Sequence, residues 1–245
     1  LSFAEATVNA LRALDVLLRL RMPAGAIARI HISREGDFGR VLLNAADYGR
    51  AAFGQVVVAR DFGDALETKL AELSRLTRHR PARFTGFAED GADGLRRARI
   101  ADTDGERLIA AKLVVAADGT ASAVRDALGI AAERHDYRQT LFVARVRAER
   151  APDGTAWERL TGHGPTAVLP RGDGHYGTIH GVADHEADAV AALDDAGYLQ
   201  RLQRAFGWRA GRFLSAGPRS AYPIVRTLAQ SLVAPRAVVV GNAAQ

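Results

Sequence analysis

Apolar residues recur at near-helical spacing over residues 4–20, at Val8, Leu11, Leu14 and Leu18, which predicts an amphipathic helix closed by Pro23 and Gly25. Residues 27–33, 41–45 and 55–59 read as strands. A second helix is expected over residues 61–76, with Asp61 as N-cap and Leu66, Leu70 and Leu73 on one face. Residues 83–88, 95–101 and 107–117 form an expected three-stranded meander, with polar turns at Asp90-Gly91 and Asp104-Gly105. A short helix follows over residues 122–128. Strands with glycine-rich turns are then predicted from 137 to 182, a long helix from 186 to 206, and one more strand at 220–225.

Two apolar runs end in glycine turns that have chemical potential. Val238, Val239 and Val240 are a β-branched run suited to the interior of a parallel sheet, and Gly241-Asn242-Ala243-Ala244 follows it. Gly241 lets a ligand approach the backbone, Asn242 offers an amide to hydroxyls, and Ala243 leaves room for a bulky ring. A core strand ending in a tight turn reads equally well from these residues. The second run, residues 113–117, delivers Asp118 and Gly119, and then a helix opens at Ser122 and carries Arg125. Amides at that helix start, with a guanidinium beside them, suit a pyrophosphate. Asp-Gly is a common turn pair, and the Asp118 copy is the one that follows an unbroken apolar strand.

Together the two segments resemble the paired signatures of the FAD-dependent aromatic hydroxylases, the single-component flavoprotein monooxygenases. Asn242 stands where most members have Asp, and Gln245 where many have His. Gly-Asn-Ala-Ala-Gln is similar to the ubiquinone-biosynthesis branch of that family, the UbiH-type hydroxylases that act on octaprenyl-methoxyphenol-like substrates. Ile30-His31-Ile32-Ser33, Gly36-Asp37-Phe38-Gly39, Ala46-Asp47-Tyr48-Gly49, Tyr137-Arg138-Gln139-Thr140, Phe206-Gly207-Trp208-Arg209 with Gly211-Arg212, and Arg219-Ser220-Ala221-Tyr222-Pro223 extend the likeness over nearly the whole chain.

The resemblance implies FAD as cofactor, NAD(P)H as its reductant, and transfer of one oxygen atom from O2 to a polyprenylated phenol. It places Asp118, Gly119, Arg125, Gly241, Asn242 and Ala243 at the cofactor, and Arg219, Tyr222 and Pro223 near flavin and substrate. Arg60 could reach a cofactor phosphate, or it is an ordinary solvated arginine. No acid, base or nucleophile is singled out, because the flavin carries the chemistry and the protein contributes orientation and exclusion of water. Further implied partners are a ubiquinone-biosynthesis protein complex and a membrane surface, with a cytoplasmic location peripheral to the inner membrane.

The implied fold is α/β, α+β overall: a Rossmann-like FAD-binding domain made of residues 1–22, 51–134 and 233–245, and an inserted, mostly antiparallel substrate domain made of 23–50 and 135–232. No Gly-x-Gly-x-x-Gly occurs in the 245 residues, so the unit that cradles the ADP half of FAD is missing. The family places that unit ahead of the first helix, so the chain reads as an internal fragment with an incomplete cofactor domain, inactive by itself.

Composition sets limits. Hydrophobic residues make up 48% of the chain, ample for a sizeable core. The absence of cysteine excludes disulfides, thiolate-bound zinc and a thiol nucleophile. His175, His180 and His185 are five apart, a spacing that fits neither a helix face nor a strand face, so no metal site is expected. The net charge of +5 comes almost wholly from scattered arginines, with lysine at positions 69 and 112 alone. That scatter argues against nucleic acid. The competing class is a non-catalytic module that binds a lipid or a protein partner through its β region. The cofactor reading requires the strand ends before Asp118 and Gly241 to lie together, and a structure that separated them would overturn it.

Overall fold

The computed structural model describes residues 1–89 and 91–245, so the expected turn at Asp90 lies outside the described residues. The strands are β1 (Ser2–Ala4), β2 (Gly25–Ile27), β3 (Arg29–Arg34), β4 (Val41–Asn44), β5 (Gly54–Val56), β6 (Ala82–Phe87), β7 (Arg96–Asp102), β8 (Gly105–Ala111), β9 (Val114–Ala116), β10 (Ala132–Ala148), β11 (Thr155–Thr161), β12 (Gly164–Pro170), β13 (Tyr176–Ala183), β14 (Phe213–Ala216), β15 (Ser220–Ala229), β16 (Val233–Ala234) and β17 (Ala237–Val239). The helices are α1 (Glu5–Ala13), α2 (Ala59–Ala71), α3 (Ala123–Ala127), α4 (Asp184–Ala191) and α5 (Asp195–Phe206). The class is α+β, dominated by sheet. Two compact units divide the chain: Leu1–Arg75 with Arg138–Ile224, and Leu76–Tyr137 with Val225–Gln245.

In the first unit the main sheet runs β14-β10-β13-β12-β11-β3-β4, with β15 also paired to β10. Along the order β14 to β4 the pairings are antiparallel except for β11 against β3, which run parallel. Burial alternates strictly along β12, as a strand covered on one face requires. Phe142, Ala144, Val146, Val168, Tyr176 and Val182 line the covered face. Helix α5 covers it with Tyr198, Leu202 and Phe206, which are four residues apart and so fall on one stripe. Trp157 joins this core, with its ring 5.7 Å from Tyr176 and 6.0 Å from Phe206. After α5, the amide of Gln203 donates to the carbonyls of Gly207 and Gly211 and accepts from the N–H of Phe213, which fastens the turn into β14.

Three helix expectations are corrected in this unit. The first helix stops at Ala13, because Asp15 takes a left-handed conformation (φ 56°) and turns the chain into a short 3-10 segment, Leu17–Arg19. Leu14 and Leu18, expected on its apolar face, are exposed, while Val8 and Val16 are buried. The long helix expected at 186–206 is two helices, because the Asp194 carboxylate caps α5 by accepting from the N–H of Gly197 at 2.8 Å. Asp61 is not an N-cap. It lies in the first turn of α2, which begins at Ala59, and its buried carboxylate accepts from the backbone N–H groups of Arg21 and Met22 at 2.9–3.1 Å.

The second unit holds the meander β6-β7-β8 and a small sheet ordered β16-β17-β9. The single strand expected at 107–117 is two strands, β8 and β9, which belong to different sheets. Residues 114–116 leave the meander because β17 offers them parallel pairing.

His180 is a buried titratable group of the main sheet's covered face. Arg201 Nε donates to its Nε2 at 3.3 Å, which leaves the proton on Nδ1, 3.0 Å from the Thr166 hydroxyl. Burial, with the Arg201 charge adding, holds its pKa down at about 4. The unfolded chain therefore takes up a proton between about pH 6.5 and 4 that the folded chain refuses, so stability falls as pH drops through that window. We expect a loss on the order of 3 kcal/mol across it, flattened in His180→Gln, as read from urea unfolding at several pH values.

Candidate cofactor site

The two glycine turns meet within the second unit. β9 and β17 pair in parallel, with Ala237 opposite Val114, Val238 opposite Val115 and Val239 opposite Ala116. The pairing continues past the strands, since the N–H of Val240 donates to the carbonyl of Ala116 at 2.9 Å. Both strands therefore end side by side, and the chain turns at Gly119 (φ 89°) and Gly241 (φ 57°). Each glycine is in the left-handed region, where a side chain would be strained. A Cβ at either one would meet nothing within 4 Å, so open space lies against both turns.

Local hydrogen bonding explains how the first turn is held. The Ser122 hydroxyl donates to the Asp118 carboxylate and accepts from the N–H of Arg125 at 2.9 Å. The second Asp118 oxygen accepts from the N–H of Val124 at 3.1 Å, so Asp118 and Ser122 together cap the start of α3. Partial desolvation works against the Asp118 charge, but the bonds from Ser122 and from the Val124 amide outweigh it and hold its carboxyl below the usual carboxylate range.

Arg125 locks the two turns together. It is 6% exposed, and its Nη1 donates to the carbonyls of Thr120 at 3.2 Å and Ala243 at 3.0 Å, the second of these 118 positions away in sequence. Nη2 reaches Asp126 at 3.2 Å, and Nε has no partner among the described residues. Beneath them Ala116, Val124, Ile130, Val239, Ala243 and Ala244 form one apolar cluster. Gly241–Ala243 is a 3-10 turn, and its carbonyl at Gly241 accepts from the N–H groups of Ala244 and Gln245. Asn242 is exposed, and its amide makes no hydrogen bond among the described residues.

The other predicted residues belong to the first unit. Arg60 is exposed in the first turn of α2. Arg219 is tied to the α4–α5 connection, with Nη2 donating to the Leu193 carbonyl at 2.5 Å, Nη1 bonded to Asp195 at 3.0 Å, and its guanidinium 4.9 Å from the Tyr198 ring. Tyr222 and Pro223 lie exposed on β15. Among the described residues no three metal-type side chains gather, and no helix is long and apolar enough to cross a membrane.

One residue with chemical potential escapes a reading by periodicity. On the main sheet, the face away from α5 carries half-exposed apolar residues, among them Ile32, Leu141, Ala167 and Ile179. Glu158 shares that face, opposite Ala167 on β12 and beside Ile32 on β3, and has no hydrogen bond or ion pair among the described residues. In the sequence its alternation looks like any outward strand position, so the signal exists only once the neighbouring strands are known.

Paired glycine turns on adjacent parallel strand ends, with open space before them, suit a nucleotide cofactor laid against the backbone. The residues present fit FAD at this point: two unobstructed turns and a free amide for polyol hydroxyls. The family described as "FAD binding domain" matches residues 3–245, and the chain belongs to it. The ubiquinone hydroxylase UbiL of Rhodospirillum rubrum is 32% identical over 191 residues, 78% of this chain and 43% of that protein. The 3-demethoxyubiquinol 3-hydroxylase of Escherichia coli is 29% identical over 140 residues, 57% of this chain and 36% of that protein. The crystal structure of p-nitrophenol 4-monooxygenase PnpA from Pseudomonas putida shares the fold, with a TM-score of 0.75 over 99% of this chain and 62% of that one, at 15% identity. The chain spans about half or less of the length of the curated relatives it matches.

Arg125→Met keeps the buried volume and removes the donors, which leaves the Ala243 carbonyl without its partner. We expect a loss of about 1–3 kcal/mol in urea unfolding. An unchanged midpoint would mean that the two turns are held without this clamp.

Proposed function

We propose that the protein to which this chain belongs is an FAD-dependent, NAD(P)H-using monooxygenase that hydroxylates a polyprenylated phenol in ubiquinone biosynthesis. The observation that carries the reading is the joint presentation of Gly119 and Gly241 at the ends of adjacent parallel strands. The likeness to UbiL supports the substrate class. FAD, when bound and reduced, supplies the chemistry that activates oxygen.

This chain's residues bind and orient. Gly119 and Gly241 admit the cofactor to the backbone, and the Asn242 amide bonds its polyol hydroxyls. Asp118 and Arg125 act as positioning residues, the first by capping α3 and the second by tying Ala243 to Thr120. Arg60 offers an exposed guanidinium to a cofactor phosphate. The apolar sheet face receives the substrate ring and tail and excludes water, with Tyr222 and Pro223 at its margin and Arg219 fixing the strand that carries them. Glu158 accepts the phenol O–H, which draws electron density into the ring that is to be hydroxylated. The domain division follows the cofactor, with residues 1–22, 51–134 and 233–245 on its side and 23–50 and 135–232 on the substrate's. The lipid-soluble substrate is reached at a membrane surface or through a ubiquinone-biosynthesis complex.

Two experiments on the full-length protein test this. Asn242→Leu removes the amide and crowds the turn, so flavin occupancy after gel filtration should fall, with a cost on the order of 1–3 kcal/mol. Asn242→Asp should keep its flavin, since a carboxylate accepts the same hydroxyl bonds. Full occupancy in the Leu variant would reduce the turn to a structural one. Glu158→Gln should retain flavin and lose about 10²-fold or more in kcat, in line with the removal of one acid–base group. Unchanged turnover would exclude Glu158 from the reaction and leave the flavin site standing.

A further inference from the structure

The face of the main sheet that packs on α5 ends, beyond Trp157, in polar groups that the hydroxylase reading does not use. Ser33 and Arg159 are register partners in the parallel β3–β11 pair, so their side chains leave the same face. His31 lies two residues earlier on that face, opposite Trp157. Ser33 is 8% exposed, and its hydroxyl has no partner among the described residues. The Nε of Arg159 is buried and likewise without a partner. Two neighbouring buried donors without acceptors are rare in folded proteins and call for a group that supplies acceptors.

Beside this pair, Arg209 and His31 both feel cationic neighbours. Arg209, whose Nη1 donates to the Phe206 carbonyl at the end of α5, is held below its ordinary pKa by burial, with Arg159 and Arg40 adding to the effect. Burial, then Arg209 and Arg40, hold His31 down in the same direction. The charged neighbours acting on both groups are cations. Arg40 and Arg159 have no ion pair among the described residues, unlike Arg29, Arg97 and Arg171, each of which has an aspartate.

We propose that Ser33, Arg159, Arg209 and Arg40 form a binding site for a phosphate-type oxyanion, carried by a soluble phosphate compound or by a lipid headgroup. Three guanidiniums supply charge and planar donor pairs, and the buried hydroxyl supplies a further donor, a set that matches the several acceptor oxygens of a phosphate. Trp208 and Phe38 flank the site in sequence and are 65% and 108% exposed. Aromatic side chains of this kind settle at a lipid–water interface, which makes the headgroup a source to be tested directly.

The test uses the full-length protein, inorganic phosphate in isothermal titration, and flotation with phosphatidylcholine vesicles with or without phosphatidic acid. We expect saturable phosphate binding or selective retention on the acidic vesicles, weakened about tenfold by Arg159→Gln and by Arg40→Gln, the loss that follows from removing one charge-assisted bond. Arg107→Gln, whose partners are Asp102 and Asp104, should bind as the parent does. Arg40 is exposed, so Arg40→Gln keeps the test decisive if Arg159→Gln fails to fold. Phosphate binding without vesicle retention assigns a soluble phosphate compound, and retention without binding of free phosphate assigns a headgroup. Binding of neither probe, or binding that both variants leave unchanged, overturns the site.

Discussion

The parallel pairing of β9 with β17 is the constraint on which the candidate cofactor site depends. It joins segments more than 110 positions apart, and nothing local holds them. Parallel strands give evenly spaced, slanted bonds that keep the two carboxyl ends on one side, and Val240 extends the ladder one residue past the strand. Arg125 then converts side-by-side ends into a fixed pair of turns. A buried guanidinium bonded to two carbonyls tolerates little displacement, because each lost bond would strand a polar group. The site is thus specified by long-range contacts, and its open side carries the groups left unbonded.

The two faces of the main sheet show how one alternation can present two kinds of surface. On the α5 side, large residues interlock around Trp157, Tyr176 and Phe206. On the other side the same strands present smaller apolar residues together with Glu158. A packed core and a half-exposed apolar surface differ here only by one step along each strand.

Much of this was legible in the sequence. Unbroken apolar runs ending in Asp118-Gly119 and Gly241-Asn242 announced both turns, and the structure brings them together as that reading required. Ser122 was legible as the start of α3. Legibility failed where a single residue overrode a period. Asp15 ended a helix whose leucines still kept helical spacing, and Asp194 opened a new helix inside what looked like one. Asp61 carried a capping residue's identity but answered to the distant amides of Arg21 and Met22. The role of Arg125 was half-legible: its place beside the turn was plain, but its hold on Ala243 depends on a fold that brings position 243 to position 125. Glu158 and the Ser33–Arg159 pair could not be singled out, because their meaning lies in which strands sit beside them.

Gly177 and Gly181 stand on the same face of β13, the one away from α5, four residues apart, yet they differ in what they permit. A Cβ at Gly181 would come within 3.0–3.1 Å of Pro165 and Gly164, so the neighbouring strand holds that position to glycine. At Gly177 the nearest atoms are side-chain carbons of Arg171 at 3.8–3.9 Å, an ordinary contact. The depth of the face is therefore fixed at one glycine and adjustable at the other. Position 177 is thus a place where a single methyl group can be added to that face without disturbing the sheet.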